Sequence, residues 1–386
     1  MNVLLSLLQK SPDYMQLLQA VEAKQAAAVS GLSQAPRSHV LAALHEHSGR
    51  PLVAVCQDDL AASRLASELG AFLGEQPPVL PSRELTLAGA IGVSRQWEQK
   101  RLRLLYALAQ GQVPVLVTSL DALLLRTMPR EVLFSASVRL RCGAEYNVDD
   151  LVARLTRAGY TRSSLVEGVG QFALRGGILD VYSPACENPL RAEFFGDELD
   201  TMGYFDPITQ RRTENVEEAV LLPVAETEAH LHPQGTAGLC EDLRAIIVRQ
   251  QRRKTPNQAL IDTLQKDCEA LENETLFASA DRYMALIYPE FTTAAAYLSQ
   301  EAVVAFCDHG NLQRAEKEKA EEFGLLLDSF LTSGTLFGEL CDYYGSIEDL
   351  AAQLRGRAVV YCDGFLAARY PESLPPKKLL SFTARQ

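Results

Sequence analysis

Apolar and polar positions along this chain switch repeatedly between helical and extended periodicity. From residue 13 to about 136 the two alternate. A helical start is followed by an apolar strand at 52–56, a helix over 58–69, a second helix over 95–109 and a buried-type strand at 115–117. Such alternation predicts a parallel sheet flanked by helices. From about 137 to 222 the pattern becomes strand-rich, interrupted by one amphipathic helix at 149–158 that stops at Gly159. Beyond Pro223 helical stretches return at 236–252 and 257–272. Two short apolar strands follow, at 302–306 and 358–361, and read as further strands of the first sheet. The predicted class is α/β, with a divided sheet domain (1–136 and 223–386) and an inserted α+β unit of antiparallel strands (137–222).

Within the insert, residues 171–207 read Q-F-A-L-R-G-G-I-L-D-V-Y-S-P-A-C-E-N-P-L-R-A-E-F-F-G-D-E-L-D-T-M-G-Y-F-D-P. Turn signals at Pro189, Gly196-Asp197 and Asp206-Pro207 divide it into antiparallel strands, and Gly176-Gly177 reads as a bulge. Side chains alternate between faces, so Arg191, Glu193 and Phe195 share one face while Ala192 and Phe194 share the other. With Phe194 turned to the core, Phe195 is left at the rim beside an arginine, a composition typical of protein-binding hot spots. The same residues also fit a plain solvated strand with Phe195 tucked under a loop.

Composition narrows the function classes. With 386 residues, 47% hydrophobic and 22% charged, the chain is long enough for two or three domains with their own cores. It contains no run of about 20 apolar residues, so a soluble, cytoplasmic protein is expected. Its net charge of −12 opposes a dedicated nucleic-acid clamp. The basic runs Arg252-Arg253-Lys254, Arg211-Arg212 and Lys100-Arg101 with Arg103 are short enough to be solvated faces. Eight cysteines are scattered singly, without zinc spacing, as expected of free thiols in a reducing compartment. His45 and His47 flank Glu46, but ligands two apart on a helix face different ways, so no metal is expected there.

The order R-G-G-I-L-D, then R-x-E-F-F-G-D-E-L-D and F-D-P, resembles the damage-recognition family UvrB and the transcription-repair coupling factor family Mfd. In both, the resemblance implies, this segment docks onto UvrA, and the UvrA-binding arginines and phenylalanine fall on Arg175, Arg191 and Phe195. It also implies a RecA/helicase-like sheet domain. At the place of the UvrB phosphate loop stands Gly31-Leu32-Ser33-Gln34-Ala35-Pro36-Arg37-Ser38. Gly31 and Ser38 keep the pattern, but Pro36 has no N–H to offer a phosphate, and Arg37 is a planar fork where a compact ammonium is wanted. The acidic partner motif reads Cys307-Asp308-His309-Gly310, with His309 in place of the carboxylate that positions water. A degenerate helicase-like domain without ATPase activity follows, with no catalytic residue and no cofactor of its own.

Two further features separate the families. UvrB carries a long DNA-prying β-hairpin for which the segment from Leu80 to the helix at 95–109 leaves no room. R-Q-W-E-Q-K-R-L-R-L-L-Y-A-L followed by V-L-V-T-S-L-D-A-L-L-L-R is similar to Mfd, as is the closing L-L-S-F-T-A-R-Q. The resemblance implies a fragment of a longer translocase, with RNA-polymerase-binding and ATP- and Mg²⁺-using motor domains downstream. UvrA is the implied partner, while RNA polymerase and DNA would be met by the absent domains. A C-terminal domain of the parent would cover the UvrA surface at rest. Two alternatives remain at this level: a UvrB-type nucleotide-dependent DNA-loading protein, and a scaffold whose insert contacts only its own chain.

Overall fold

The structure, a computed structural model, describes residues 3–88, 96–273, 277, 279–367 and 369–382. In chain order its strands are β1 (Ala26–Ser30), β2 (Leu52–Cys56), β3 (Val79–Leu80), β4 (Val115–Ser119), β5 (Val138–Arg141), β6 (Thr161–Arg162), β7 (Gln171–Arg175) and β8 (Ile178–Val181). They continue with β9 (Leu190–Phe195), β10 (Glu198–Phe205), β11 (Arg212–Asn215), β12 (Glu218–Leu221), β13 (Val303–Cys307), β14 (Ala358–Cys362) and β15 (Lys378–Ser381). Seven of them form one sheet in the order β15-β1-β14-β13-β2-β4-β3, every neighbouring pair parallel. The late strands β13 and β14 lie between β1 and β2, so segments on both sides of the insert build a single sheet. The predicted fold class, a divided parallel-sheet domain with an inserted strand-rich unit, is the one observed.

The central strands β2, β4, β13 and β14 are buried throughout, which is why they read as continuous apolar runs rather than as alternations. Along β2, Val53 and Val55 enter one core, and Leu52, Ala54 and Cys56 enter the core on the opposite face. Several elements escape the hydrophobic pattern, three of them instructive. Strand β1, Ala-Ala-Ala-Val-Ser, has little β-branched character. Edge strand β15 is a short amphipathic stretch. The 24-residue helix His309–Thr332 fully buries only His309 and Leu312; its middle is rich in Ala, Glu, Lys and Arg, and only its C-terminal half, through Phe323, Leu327, Phe330 and Leu331, packs partly buried on a small apolar cluster.

The insert has a six-stranded sheet, β11-β10-β9-β8-β7-β6, antiparallel except for β6 with β7, and a two-stranded β12-β5 ribbon. Helix Val148–Arg157, capped by the Asn147 side chain on Asp150 N–H at 2.9 Å, covers one face of the larger sheet. Leu151 and Leu155 meet Phe172, Leu179, Leu190, Ala192, Leu199 and Met202 there. Gly176-Gly177 is the two-residue turn between β7 and β8 rather than a bulge. Gly176 takes φ +61°, and a Cβ on Gly177 would sit 2.6 Å from the Phe194 carbonyl oxygen. The irregular register lies instead on β10, at Leu199/Thr201 against β9 and at Tyr204/Phe205 against β11.

Buried polar groups fasten the chain where it returns from the insert to the sheet domain, and Arg103 reaches into the insert itself. Arg101, on helix Gln96–Ala109, pairs with Glu226 at 2.6 Å, both side chains fully buried. Glu226 N–H donates to Glu98 at 2.8 Å, and Arg103 donates to the Pro184 carbonyl at 2.9 Å. Arg83 joins the cluster through Glu98 at 3.3 Å and through Asp281.

No helix among the described residues is long and apolar enough to cross a membrane, and none of their His, Cys, Asp and Glu side chains cluster in threes fit for a metal. His45 and His47 instead hydrogen-bond to the Arg50 carbonyl and the Tyr14 hydroxyl, each at 2.7 Å. All eight cysteines are free. Residues 89–95, part of the segment expected to leave no room for a hairpin, and 383–386, the end of the closing motif, lie outside the described residues.

Candidate functional site

The face of the six-stranded sheet turned away from helix Val148–Arg157 gathers all three candidate interaction residues. Cross-strand pairs place their side chains on a common face. Arg175 pairs with Ile178, Ile178 with Glu193, Asp180 with Arg191, and Glu198 with Phe195. Phe195, beside the Gly196-Asp197 turn, is 85% exposed, whereas Phe194 packs against the insert core. Ile178, partly exposed, lies one strand away. An exposed aromatic, an aliphatic side chain and two arginines therefore share one face, with Glu193, paired to Arg212 at 3.0 Å, between Arg191 and Phe195 on β9.

Sequence periodicity did not single out the group that organises them. The Asp180 side chain is 1% exposed and bridges both arginines. Arg175 donates to it at 2.6 Å, and Arg191 donates twice, at 2.7 and 2.9 Å. This carboxylate holds the Arg191 guanidinium above its usual range. Arg191 also lies over the Phe205 ring, 4.5 Å from its centroid, and donates to the Gln210 carbonyl and side-chain oxygen at 3.3 and 3.4 Å. Two guanidiniums against one carboxylate leave one net positive charge. Alternation alone places Asp180 on the Arg191 face, but only the strand register shows that the two are opposite each other.

The second candidate lies at the carboxyl edge of the parallel sheet, where α/β folds commonly bind ligands. Strand β1 runs through Gly31, at φ +83°, into helix Gln34–Ser48, the strand-turn-helix order of a phosphate loop. Here the loop's first two donors are already in use. Gly31 N–H donates to the Gly364 carbonyl at 3.0 Å, and Leu32 N–H to the Asp363 carbonyl at 3.1 Å. A Cβ on Gly31 would stand 2.2 Å from the Phe382 carbonyl oxygen, so the glycine makes room for the chain leaving β15. Pro36 has no N–H, and Ser38 is buried. Arg37 folds back on the Leu32 carbonyl at 3.2 Å and faces the Asp308 carboxylate at 4.0 Å.

Asp308 turns the chain at the end of β13 with left-handed φ +67°. His309 is fully buried, stacked on Tyr370 with ring centroids 5.3 Å apart and set edge-on to Tyr361. Asp363, unremarked in the sequence, accepts from His309 N–H at 2.7 Å and from the Tyr370 hydroxyl at 2.9 Å. The structure thus brings Gly31, Arg37, Asp308 and His309 to one edge, and fills it with protein groups.

Burial pushes the His309 imidazole below its ordinary value of 6.5, with the Asp363 charge opposing in part. Below about pH 6.5 the unfolded chain takes up a proton that the folded chain refuses, so this residue costs stability as pH falls and costs none above that range. We predict that wild type loses more thermal stability than His309→Phe between pH 7.5 and pH 5.5. Parallel acid slopes would contradict the buried neutral ring.

Comparison with known proteins adds to this geometry. A family model described as the UvrB interaction domain matches residues 138–226. The chain is 38% identical to a transcription-repair-coupling factor of Myxococcus xanthus over 221 residues, 55% of this chain and 18% of that protein. It is 26% identical to that of Staphylococcus aureus (strain USA300) over 94% of this chain and 31% of that protein. With that of Bacillus subtilis (strain 168) the identity is 23% over the whole chain and 33% of that protein. The chain therefore spans a third or less of the length of these relatives. The likeness to the UvrB-like part of transcription-repair-coupling factors, first carried by the R-G-G-I-L-D and R-x-E-F-F-G-D-E-L-D motifs, is borne out.

Proposed function

We propose that this chain, similar throughout its length to transcription-repair-coupling factors, is the module by which such a factor recruits UvrA to lesions where RNA polymerase has stalled. The observation that carries this reading is Phe195, exposed on the same sheet face as the Arg175–Asp180–Arg191 cluster, inside the residues that match the UvrB interaction domain. In that role Phe195 enters an apolar depression on UvrA, and the arginines, net positive around Asp180, face UvrA carboxylates. Pre-paired side chains lose less freedom on binding than free ones.

The edge at Gly31, Pro36, Arg37, Ser38, Asp308 and His309 is read as a closed nucleotide site with no catalytic role. Its first two loop N–H groups are spent on the Gly364 and Asp363 carbonyls, and Arg37 lies over it. ATP and Mg²⁺ then belong to motor domains of the parent protein, which would also meet DNA and RNA polymerase in the cytoplasm. Occupied loop donors are what disfavours the alternative of a nucleotide-dependent DNA-loading protein.

Competition tests the reading. If the insert uses the UvrB-binding surface of UvrA, purified UvrB displaces labelled chain from UvrA in a concentration-dependent way. A ternary complex holding both would contradict a shared surface.

A further inference from the structure

The turn between β10 and β11 carries backbone strain at a residue whose side chain reaches out of the turn. Gln210 takes φ +60°, a left-handed conformation that glycine adopts freely and glutamine does not. The rest of the turn is well satisfied. Asp206 accepts from Ile208 N–H at 3.0 Å and Thr209 N–H at 2.6 Å, and these bonds hold its carboxyl below the usual range. Gln210 N–H donates to the Asp206 carbonyl at 2.8 Å, and Asp206 N–H to that of Arg211 at 3.0 Å. Glycine at 210 would keep these backbone bonds without the strain. What only the glutamine supplies is its side chain, whose Nε2 donates to the Pro207 carbonyl at 2.8 Å and whose Oε1 accepts from Arg191 at 3.4 Å. The Gln210 carbonyl accepts from the same guanidinium at 3.3 Å.

We infer that Gln210 is a positioning residue of the interaction surface: with Asp180 on the other side of the guanidinium, it fixes the orientation in which Arg191 meets UvrA, at the expense of the turn's own stability. Strained backbone persists where surrounding structure holds it for a purpose. Arg191 is clamped by Asp180 through Nε and Nη2 and by Gln210 through Nη1 and Nη2, with Phe205 beneath it. A guanidinium fixed on two sides does not have to be ordered again on binding. This inference rests on the sheet face being the UvrA surface.

The test is Gln210→Gly in the whole chain, titrated against UvrA beside wild type, Phe195→Ala, Arg191→Ala and the Arg191→Ala/Gln210→Gly double variant. Expected for Gln210→Gly are a melting temperature unchanged or raised and a dissociation constant raised about threefold, the low end of the ordering cost of one side chain, because the Asp180 bonds and the residue-210 carbonyl still hold the guanidinium. In the Arg191→Ala background the same change adds no further loss, because the guanidinium it positions is gone. Wild-type affinity for Gln210→Gly, an equal loss in both backgrounds, or a lowered melting temperature overturns the inference. If Phe195→Ala still loses binding in those cases, the reading of the face survives. If wild type does not bind UvrA, the reading of the face fails and the inference with it.

Discussion

Phe195→Ala is expected to weaken binding to UvrA by at least about 30-fold, some 2 kcal/mol, while leaving the thermal unfolding of the chain unchanged. The separation of the two effects follows from where the ring lies. At 85% exposure Phe195 contributes almost nothing to the core, whereas its neighbour Phe194 packs inside. Large apolar side chains left in water gain only when a partner covers them. Calorimetric titration with UvrA, beside a thermal melt of the same preparation, measures both. A large loss of melting temperature would place Phe195 in folding, as the self-contained scaffold alternative requires. Unchanged affinity would take it out of the interface.

Arg101→Met is expected to destabilise the chain by about 3–5 kcal/mol, the largest stability effect of any single substitution considered. Arg101 and Glu226 are both fully buried at 2.6 Å, and Glu226 further accepts from Thr127. Removing the guanidinium strands a carboxylate among apolar and hydrogen-bonded neighbours. Arg101→Met/Glu226→Leu, which removes both charges, should recover part of the loss, the remainder reflecting the Pro81 and Ala122 carbonyls that Arg101 serves at 2.9 and 3.1 Å. Urea unfolding followed by circular dichroism reads the difference. A loss below about 1 kcal/mol for the single variant would mean that water reaches Glu226 and that its packing against helix Gln96–Ala109 is looser than the geometry shows.

Both expectations depend on contacts that the sequence discloses unevenly. Strands β2, β4, β13 and β14 are buried on both faces and stand out as uninterrupted apolar runs. The alternation around Phe194 and Phe195 likewise assigns each ring its side. Strand β1 and helix His309–Thr332 did not stand out, the first for its alanines and the second because it buries so little. Gly176-Gly177 has the composition of a bulge and of a turn alike, and only the pairing of Arg175 with Ile178 decides for the turn.

At the sites, residue type drew attention to Arg175, Arg191 and Phe195, and to Pro36 and Arg37 as breaks in a phosphate loop. Of the groups that hold them, Asp180 closes the R-G-G-I-L-D motif but drew no role, and Gln210 and Asp363 were silent. Asp180, Gln210 and Asp363 act through partners 5 to 54 positions away, as in Arg175 to Asp180 and His309 to Asp363. Such pairings come from strand register and chain crossing, neither of which leaves a periodic mark.

The central claim, that the open face of the six-stranded sheet recruits UvrA, is tested most directly by calorimetric titration of purified UvrA with the wild-type chain and with the Arg175→Ala/Arg191→Ala/Phe195→Ala variant, whose folding is first confirmed by its circular dichroism. Saturable binding by wild type and none by the variant is the predicted result. Equal binding by both, or no binding by wild type, would contradict it.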